Sequence, residues 1–305
     1  MQMAPKVSIG LPVYNGENYL VEAIDSILAQ TFTDFELIIT DNASTDSTEA
    51  ICTQYAAADK RIRYIRNPAN LGAAPNFNKA FELATGKYFK WAAHDDILAP
   101  DFLESCVAIL DSRPEVVLCY TGTCVIDDAG DVLQEYHYLG HVTAPSTQRR
   151  FAAMLLSSDM CYEIFGLIRT GILSQTSLIG NYGHGDGVLL ARLALEGPYY
   201  EVPDKLLYVR KHVQQSMSTN KGTDQYGRPD YHAYANWFDT NKKRKIILPN
   251  WKILAEYTKA VWQARVSPRE GIYCHFHLVR WIKRHIHYLI GDLRIAAKQQ
   301  LNRSK

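Results

Sequence analysis

The sequence predicts an α/β fold: a mixed, mostly parallel sheet flanked by helices, with a helical extension at the C-terminal end. Over roughly the first 120 residues, short apolar runs alternate with helical stripes. The apolar runs are continuous, as in parallel strands covered on both faces. Polar residues recur at the C-terminal end of each run, where open α/β sheets bind ligands.

The elements follow in order. Val7–Val13 is the first strand and Tyr14-Asn15-Gly16 a turn. Glu17–Gln30 carries Leu20, Ala23, Ile24, Ile27 and Leu28 at helical spacing. Phe35–Thr40 is a second strand, ending at Asp41. Asp46 to Glu49 resembles a capping box opening a helix to about Ala58. Ile62–Arg66 is a third strand, and Ala73–Ala84 a third helix with Gly86 as its C-cap. A fourth strand starts at Lys87-Tyr88 and ends at His94-Asp95-Asp96. Pro100–Ser112 is helical and Val116–Tyr120 a fifth strand.

Beyond Tyr120 the pattern changes. Thr123–Ile126 and Val132–Tyr138 flank a turn and read as a hairpin. Gln148–Leu156 and Gly187–Leu195 are helical; Ile164–Arg169 and Leu206–Arg210 are strands. Residues 213–230 are polar and read as a mobile loop. The expected organisation is a catalytic domain over 1–215, a linker over 216–245 and a helical region over 246–305.

Composition excludes several classes. A net charge of +1 gives no reason to expect nucleic acid, and Lys242-Lys243-Arg244-Lys245 reads as a solvated turn. The six Cys show no zinc spacing and fit small buried thiols of a reducing compartment. No window reaches the ~18 apolar residues of a membrane span, and no signal peptide is evident. These features suggest a cytoplasmic protein.

Adjacent carboxylates at the end of a buried strand call for a neutralising cation, and hard divalent ions take oxygen ligands. The alternative is a solvated loop in which Asp95 or Asp96 caps the next helix. Four strand ends deliver polar groups to one rim: Tyr14-Asn15, Asp41-Asn42, Asn67 to Asn70, and His94-Asp95-Asp96.

With Pro12-Val13-Tyr14-Asn15-Gly16-Glu17, Asp41-Asn42-Ala43-Ser44-Thr45-Asp46, Asn70-Leu71-Gly72 with Asn76 and Asn78, His94-Asp95-Asp96, Asp186 and Tyr208-Val209-Arg210-Lys211-His212 in this order, the chain resembles inverting glycosyltransferase family 2, of the GT-A fold, over about residues 5–215. The resemblance implies a nucleotide-diphospho-sugar donor, a divalent Mn²⁺ or Mg²⁺ ion, and a glycan or lipid-linked acceptor. It places Pro12, Tyr14, Asn15 and Glu17 around base and ribose. Asp41 would accept a hydrogen bond from a uracil or thymine imide. Asn70 and Gly72 would let backbone approach the nucleotide. Asp96 would ligate the metal, Asp95 would contact ribose or metal, and His212 would be a further metal ligand. Arg210 or Lys211 would clamp the diphosphate. His replaces the first Asp of the family's Asp-x-Asp box. Asp186, in Gly183-His184-Gly185-Asp186-Gly187, would be the catalytic base, and the Glu that often precedes it is absent. A helix N-cap is the structural alternative for Asp186. Trp91, Tyr162, Tyr182 and Tyr199-Tyr200 could stack on a sugar or belong to the core.

Leu278, Ile282, Ile286, Leu289, Leu293 and Ala297 form a helical stripe. From Arg280 to Lys305 there are seven Lys and Arg against one acidic residue, with Trp281 and Tyr288 as interfacial aromatics. This helix can lie on an anionic membrane or pack on the domain or on another copy of the chain. Two other readings compete. A sugar-phosphate nucleotidylyltransferase would need a basic Gly-rich loop that residues 11–16 do not supply. A catalytically inactive scaffold would sit poorly with both Asp96 and Asp186 retained.

Overall fold

The computed structural model describes residues 4–136, 142–156, 160–213 and 248–303. The expected hairpin end at Tyr138, the linker 216–245 and the loop beyond Val213 lie outside these residues. Strands β1 (Val7–Val13), β2 (Phe35–Asp41) and β3 (Ile62–Arg66) alternate with helices α1 (Leu20–Leu28), α2 (Thr48–Ala58) and α3 (Ala73–Glu82). Then come β4 (Tyr88–Trp91), the short β5 (Ile97–Leu98), α4 (Phe102–Ser112), β6 (Leu118–Ile126) and β7 (Val132–Tyr136). Helix α5 (Thr147–Leu156), a 3₁₀ turn at Tyr162–Phe165, β8 (Leu167–Arg169), α6 (Thr170–Leu173), α7 (Gly185–Glu196) and β9 (Tyr199–Arg210) follow. Helices α8 (Pro249–Gln263) and α9 (Pro268–Arg303) complete the described chain.

The sheet runs β3-β2-β1-β4-β8-β6-β9-β5, with β7 paired to β6. β3, β2, β1 and β4 are mutually parallel, and so are β6 and β9. β8 and β5 run antiparallel to their neighbours, so the sheet is mixed and mostly parallel, as the sequence predicts. Every residue of β1 and β2 is buried. Alternate residues of β4 enter two apolar clusters, as the pleat requires: Phe89 and Trp91 join α5, α7, α8 and α9, while Tyr88 joins α1 and α4.

Several elements differ from expectation. The separate strands expected at 116–120 and 123–126 form one nine-residue strand, β6, buried throughout. Thr121-Gly122-Thr123 looks like a break but is a register shift against β9. Pairing with β6 also extends β9 back to Tyr199. Of the strand expected at 164–169, Ile164 and Phe165 belong to the 3₁₀ turn and only Leu167–Arg169 is strand. Gly86 does not cap α3, which ends at Glu82. It lies against β1 instead, where a Cβ would fall 2.6 Å from the Ser8 backbone nitrogen. The α2 cap is also different, because Glu49 pairs with Arg66 and not with the helix start. All six Cys are buried and none is in a disulfide.

Candidate active site

The loops after β1 and β2 are stitched together. Asn15, at φ 50°, donates its backbone N–H to Ser44 Oγ, and its Oδ1 accepts the Thr45 N–H. Gly16 N–H donates to Thr48 Oγ1, and Glu17 N–H to Asp46. Glu17 Oε2 accepts the Ser47 N–H at 2.9 Å, so this carboxylate caps α2. Asn15 and Glu17 therefore shape the loop through their own side chains. Tyr14 projects from it, 47% exposed, while Pro12 is buried within β1.

Asp41 is fully buried. Its Oδ1 accepts the Ser44 N–H at 2.8 Å and its Oδ2 the Tyr64 hydroxyl at 2.7 Å, with Arg66 at 3.5 Å. Burial and the Asp41 contact push the Tyr64 phenol upward. In this conformation Asp41 presents no surface to a base.

Next to it lies a network of asparagines. Asn42 Nδ2 donates to Asn70 Oδ1 and to the Gly72 carbonyl, and its Oδ1 accepts the Leu71 N–H. Asn67 joins Asn76 and Lys79, and Asn76 reaches the Thr40 carbonyl. Gly72 adopts φ 88°, a conformation glycine reaches without strain, and starts α3. Asn78 forms two hydrogen bonds with the Ile179 backbone, tying α3 to the segment before α7.

At the end of β4 the two adjacent carboxylates turn to different partners. Asp95 Oδ2 lies 3.0 Å from His212 Nε2, a contact spanning 117 residues, and both groups are buried. Asp96 Oδ1 instead accepts the Arg210 backbone N–H at 3.0 Å. Burial opposes ionisation of Asp95, but the His212 hydrogen bond and the nearby His94 and His212 hold its carboxyl below the usual range. Burial and the Asp95 charge push Asp96 well above that range. The repulsion expected of a carboxylate pair is thus relieved by giving one of them the charge. Lys90, the polar exception in β4, is fully buried, donates to the Phe165 carbonyl and lies over the Phe102 ring. Its burial lowers its pKa to about 7.

The family resemblance implies Asp96 and His212 as metal ligands, with Asp95 on ribose or metal. The geometry pairs His212 with Asp95 and turns Asp96 toward the β9 backbone. Arg210 likewise departs from expectation. It is 1% exposed, and its guanidinium donates to the Asp95, Asp127 and Asp128 carbonyls and to Glu22. It also stacks over Tyr19, whose ring meets His212 edge-on. With its donors so committed it locks loops together and does not face a diphosphate, whereas neighbouring Lys211 is exposed. His94 is half-buried and packs on Gly16, where a Cβ would fall 2.7 Å from its ring.

Asp186 stands in the first turn of α7, and its Oδ1 accepts the Gly187 N–H. Among the described residues, Cys161, His184 and Asp186 bring ligand-capable atoms within 4.8 Å of one another. His184, at φ 66°, contacts the Tyr257 hydroxyl of α8 at 2.9 Å through Nε2. A Cβ on Gly187 would lie 2.2 Å from the His184 ring, and one on Gly185 2.4 Å from the Gly180 carbonyl. Hence the position before Asp186 has no room for a Glu. Tyr162, next to Cys161, has its phenol pushed up to about 12, first by burial and then by the neighbouring Asp96 carboxyl, which resists a second negative charge beside it. This turn therefore joins the Asp186 cluster to the end of β4.

Of the aromatic residues considered for sugar stacking, Trp91 and Tyr199 are core, bonded to the Phe77 and Leu190 carbonyls. The roles of Tyr257 and of the glycines around Asp186 are not legible in the sequence. The Gly-His-Gly-Asp-Gly run was the one available signal.

Comparisons agree with this architecture. A curated relative, the putative glycosyltransferase EpsE of Bacillus subtilis, is 40% identical over 131 residues, covering 43% of this chain and 47% of its own length. An uncharacterized glycosyltransferase of Methanocaldococcus jannaschii is 38% identical over 134 residues, 43% of this chain and 46% of that protein. The chain thus spans about half the length of the curated relatives it matches. In fold it is similar to S. aureus TarS 1–349 in complex with UDP-GlcNAc, with TM-score 0.67, 17% identity, and coverage of 96% of this chain and 81% of that one. The model of the family described as Glycosyl transferase family 2 matches residues 8–176, from β1 to beyond β8, and the chain belongs to that family.

Proposed function

We propose that this chain is an inverting, metal-assisted glycosyltransferase. It would move a sugar from a nucleotide-diphospho-sugar, a UDP- or dTDP-sugar, to a hydroxyl of a glycan or lipid-linked acceptor. The observation that carries the reading is the buried Asp95–His212 pair at the end of β4, in a family 2 chain that also places Asp186 at the start of α7. Two structural neighbours support the donor class: TarS in complex with UDP-GlcNAc, and a Pyrobaculum calidifontis mannosyltransferase in complex with GDP-Man and Mn²⁺.

An ionised carboxylate beside an imidazole suits Mn²⁺. Asp95 and His212 would hold the ion, which supplies neutralisation of the leaving diphosphate when bound. Asp96 would brace β9, keeping His212 in register with Asp95. Exposed Tyr14 offers a stacking face for the base, with Asn70 and Gly72 alongside. Contact between a base and Asp41 would require Tyr64 and Arg66 to give way. Exposed Lys211 takes over the diphosphate contact expected of Arg210. Asp186 would accept the proton of the acceptor hydroxyl as that oxygen bonds to the anomeric carbon and the carbon–oxygen bond to the diphosphate breaks. A single displacement of this kind inverts configuration.

The test is a thermal-shift panel of UDP, dTDP, GDP and CDP, each with Mn²⁺ and with EDTA. A ligand at ~100 times its Kd stabilises by about 2.7 kcal/mol. Metal-dependent stabilisation by UDP or dTDP is expected. An absence of any nucleotide shift would count against the reading.

A further inference from the structure

Helix α9 carries two apolar faces, one turned to the domain and one exposed. Cys274, Leu278, Trp281 and Leu289 are buried against the domain, and Asp292 on the same side accepts hydrogen bonds from Asn250 of α8. The exposed side carries Ile272 (71% exposed), Phe276 (61%), Val279 (47%), Ile286 (47%), Ile290 (42%) and Leu293 (48%). Their spacing alternates between four and three residues, interrupted only at Lys283, and forms one straight stripe. At about 100° per residue the two sets average about 130° apart, with Ile286 and Leu293 nearest the inner stripe, beside Leu289. The stripe expected from the sequence mixes the two faces: Leu278 and Leu289 point in, while Ile286 and Leu293 point out. Trp281, expected at an interface, is a core residue stacked on His285.

A contiguous exposed apolar stripe of this length marks an interaction surface. Charge selects its occupant. Arg269, Arg280, Lys283, Arg284 and Arg294 are exposed along the helix. Its two acids are engaged elsewhere, Asp292 with α8 and Glu270 with Ser267 at the helix start. A second copy of the helix would bring basic flanks against basic flanks and set Lys283 inside the seam, which is unfavourable. An anionic lipid surface receives the apolar stripe into its acyl boundary and the flanking cations among its headgroups. Among the described residues no helix is long and apolar enough to cross a membrane, so the contact is one of lying on the surface.

We propose that the outer face of α9, from Ile272 to Leu293, docks this chain flat on an anionic lipid surface.

The experiment is co-sedimentation of the full chain with phosphatidylcholine vesicles, with and without about one-third phosphatidylglycerol, at low and high salt. Binding to the anionic vesicles only, weakened by salt, is expected. The Phe276→Glu/Ile290→Glu double variant changes exposed positions, so it is expected to keep its circular dichroism and melting temperature. It should lose at least about tenfold in vesicle affinity, since each side chain gives up apolar contact and adds a like charge to the lipid. Equal binding to neutral vesicles, binding unaffected by the double variant, or a stable dimer without vesicle binding would overturn the proposal. The readout does not depend on nucleotide or sugar transfer, so it stands or falls apart from the proposed activity.

Discussion

His212 reaches back across 117 residues to place Nε2 3.0 Å from Asp95 Oδ2, joining the end of β9 to the end of β4. The same two strand ends are joined a second time, by the Arg210 N–H on Asp96. The first link uses groups able to bind a cation; the second uses a backbone donor. This division predicts different consequences for two adjacent aspartates. Asp95→Asn should reduce Mn²⁺-dependent nucleotide affinity by at least about tenfold, because a charged contact is worth about 1.5–3 kcal/mol. Asp96→Ala should lower the melting temperature, since it leaves the buried Arg210 N–H without its acceptor. Calorimetric titration of UDP with Mn²⁺, beside thermal melts, separates the two. Equal loss of affinity in both variants with unchanged melting would refute the division.

Arg210 yields a prediction that opposes its expected role. A residue that only clamps a diphosphate could become Met with loss of substrate affinity and little change in stability. Here the guanidinium satisfies three backbone carbonyls and Glu22 in a buried setting. Removing it leaves the three carbonyls without their donor, at about 1–3 kcal/mol for a buried unsatisfied acceptor, while half-exposed Glu22 can turn to water. Arg210→Met should therefore show a large fall in urea midpoint with no nucleotide present. A stable variant with raised KM alone would restore Arg210 to the phosphate.

These two cases show what the sequence made legible. Strand ends could be read because polar residues follow continuous apolar runs, and the family motifs sit at those ends. The direction in which each neighbour points could not. Asp95 and Asp96 are adjacent, but their partners lie on β9 and past its end, far along the chain. Arg210 and His212 are separated by one residue and likewise have different partners. The two faces of α9 were merged for a related reason: both are apolar, so spacing alone does not say which one meets the domain. Gly185 reads as the lead-in to a helix and Gly187 as its first residue, whereas the structure shows them making room for the Gly180 carbonyl and the His184 ring.

Gly187 is the sharper test of that packing. A methyl group there would lie 2.2 Å from the His184 ring and force it from the Tyr257 hydroxyl. Gly187→Ala should cost about 1–3 kcal/mol as an overpacked substitution and should also slow transfer, because the ring adjoins Asp186. Gly185→Glu, which places before Asp186 the Glu that the family resemblance leads one to expect, should fold poorly for lack of space at Gly180. Melting temperatures at wild-type level in both would show that the glycines serve no steric purpose.

Asp186→Asn separates chemistry from binding. It keeps the side-chain oxygen that accepts the Gly187 N–H but cannot take a proton. Loss of a general base typically costs about 10²–10⁴ in rate. The variant should lose transfer to that extent while keeping the UDP–Mn²⁺ thermal shift. Transfer near the wild-type rate would remove Asp186 from the role.

Glu36 predicts how stability depends on pH. It is buried in β2, where Ser8 Oγ, the Thr85 N–H and hydroxyl, and Arg63 all donate to it. Burial acts to raise its pKa, but these donors outweigh it and hold the carboxyl below its ordinary value of 4.5. The folded state thus binds the proton less readily than the unfolded chain. Its contribution to stability is present above pH 4.5 and is lost as pH falls through the lowered folded value. Urea unfolding between pH 7 and pH 3 should show a steeper acid loss in wild type than in Glu36→Gln, which has no such group to titrate. Glu36→Gln should also be less stable at pH 7, since a neutral amide accepts more weakly than a carboxylate and brings donors of its own toward Ser8 and Arg63. Parallel acid limbs in the two proteins would place the pH dependence elsewhere.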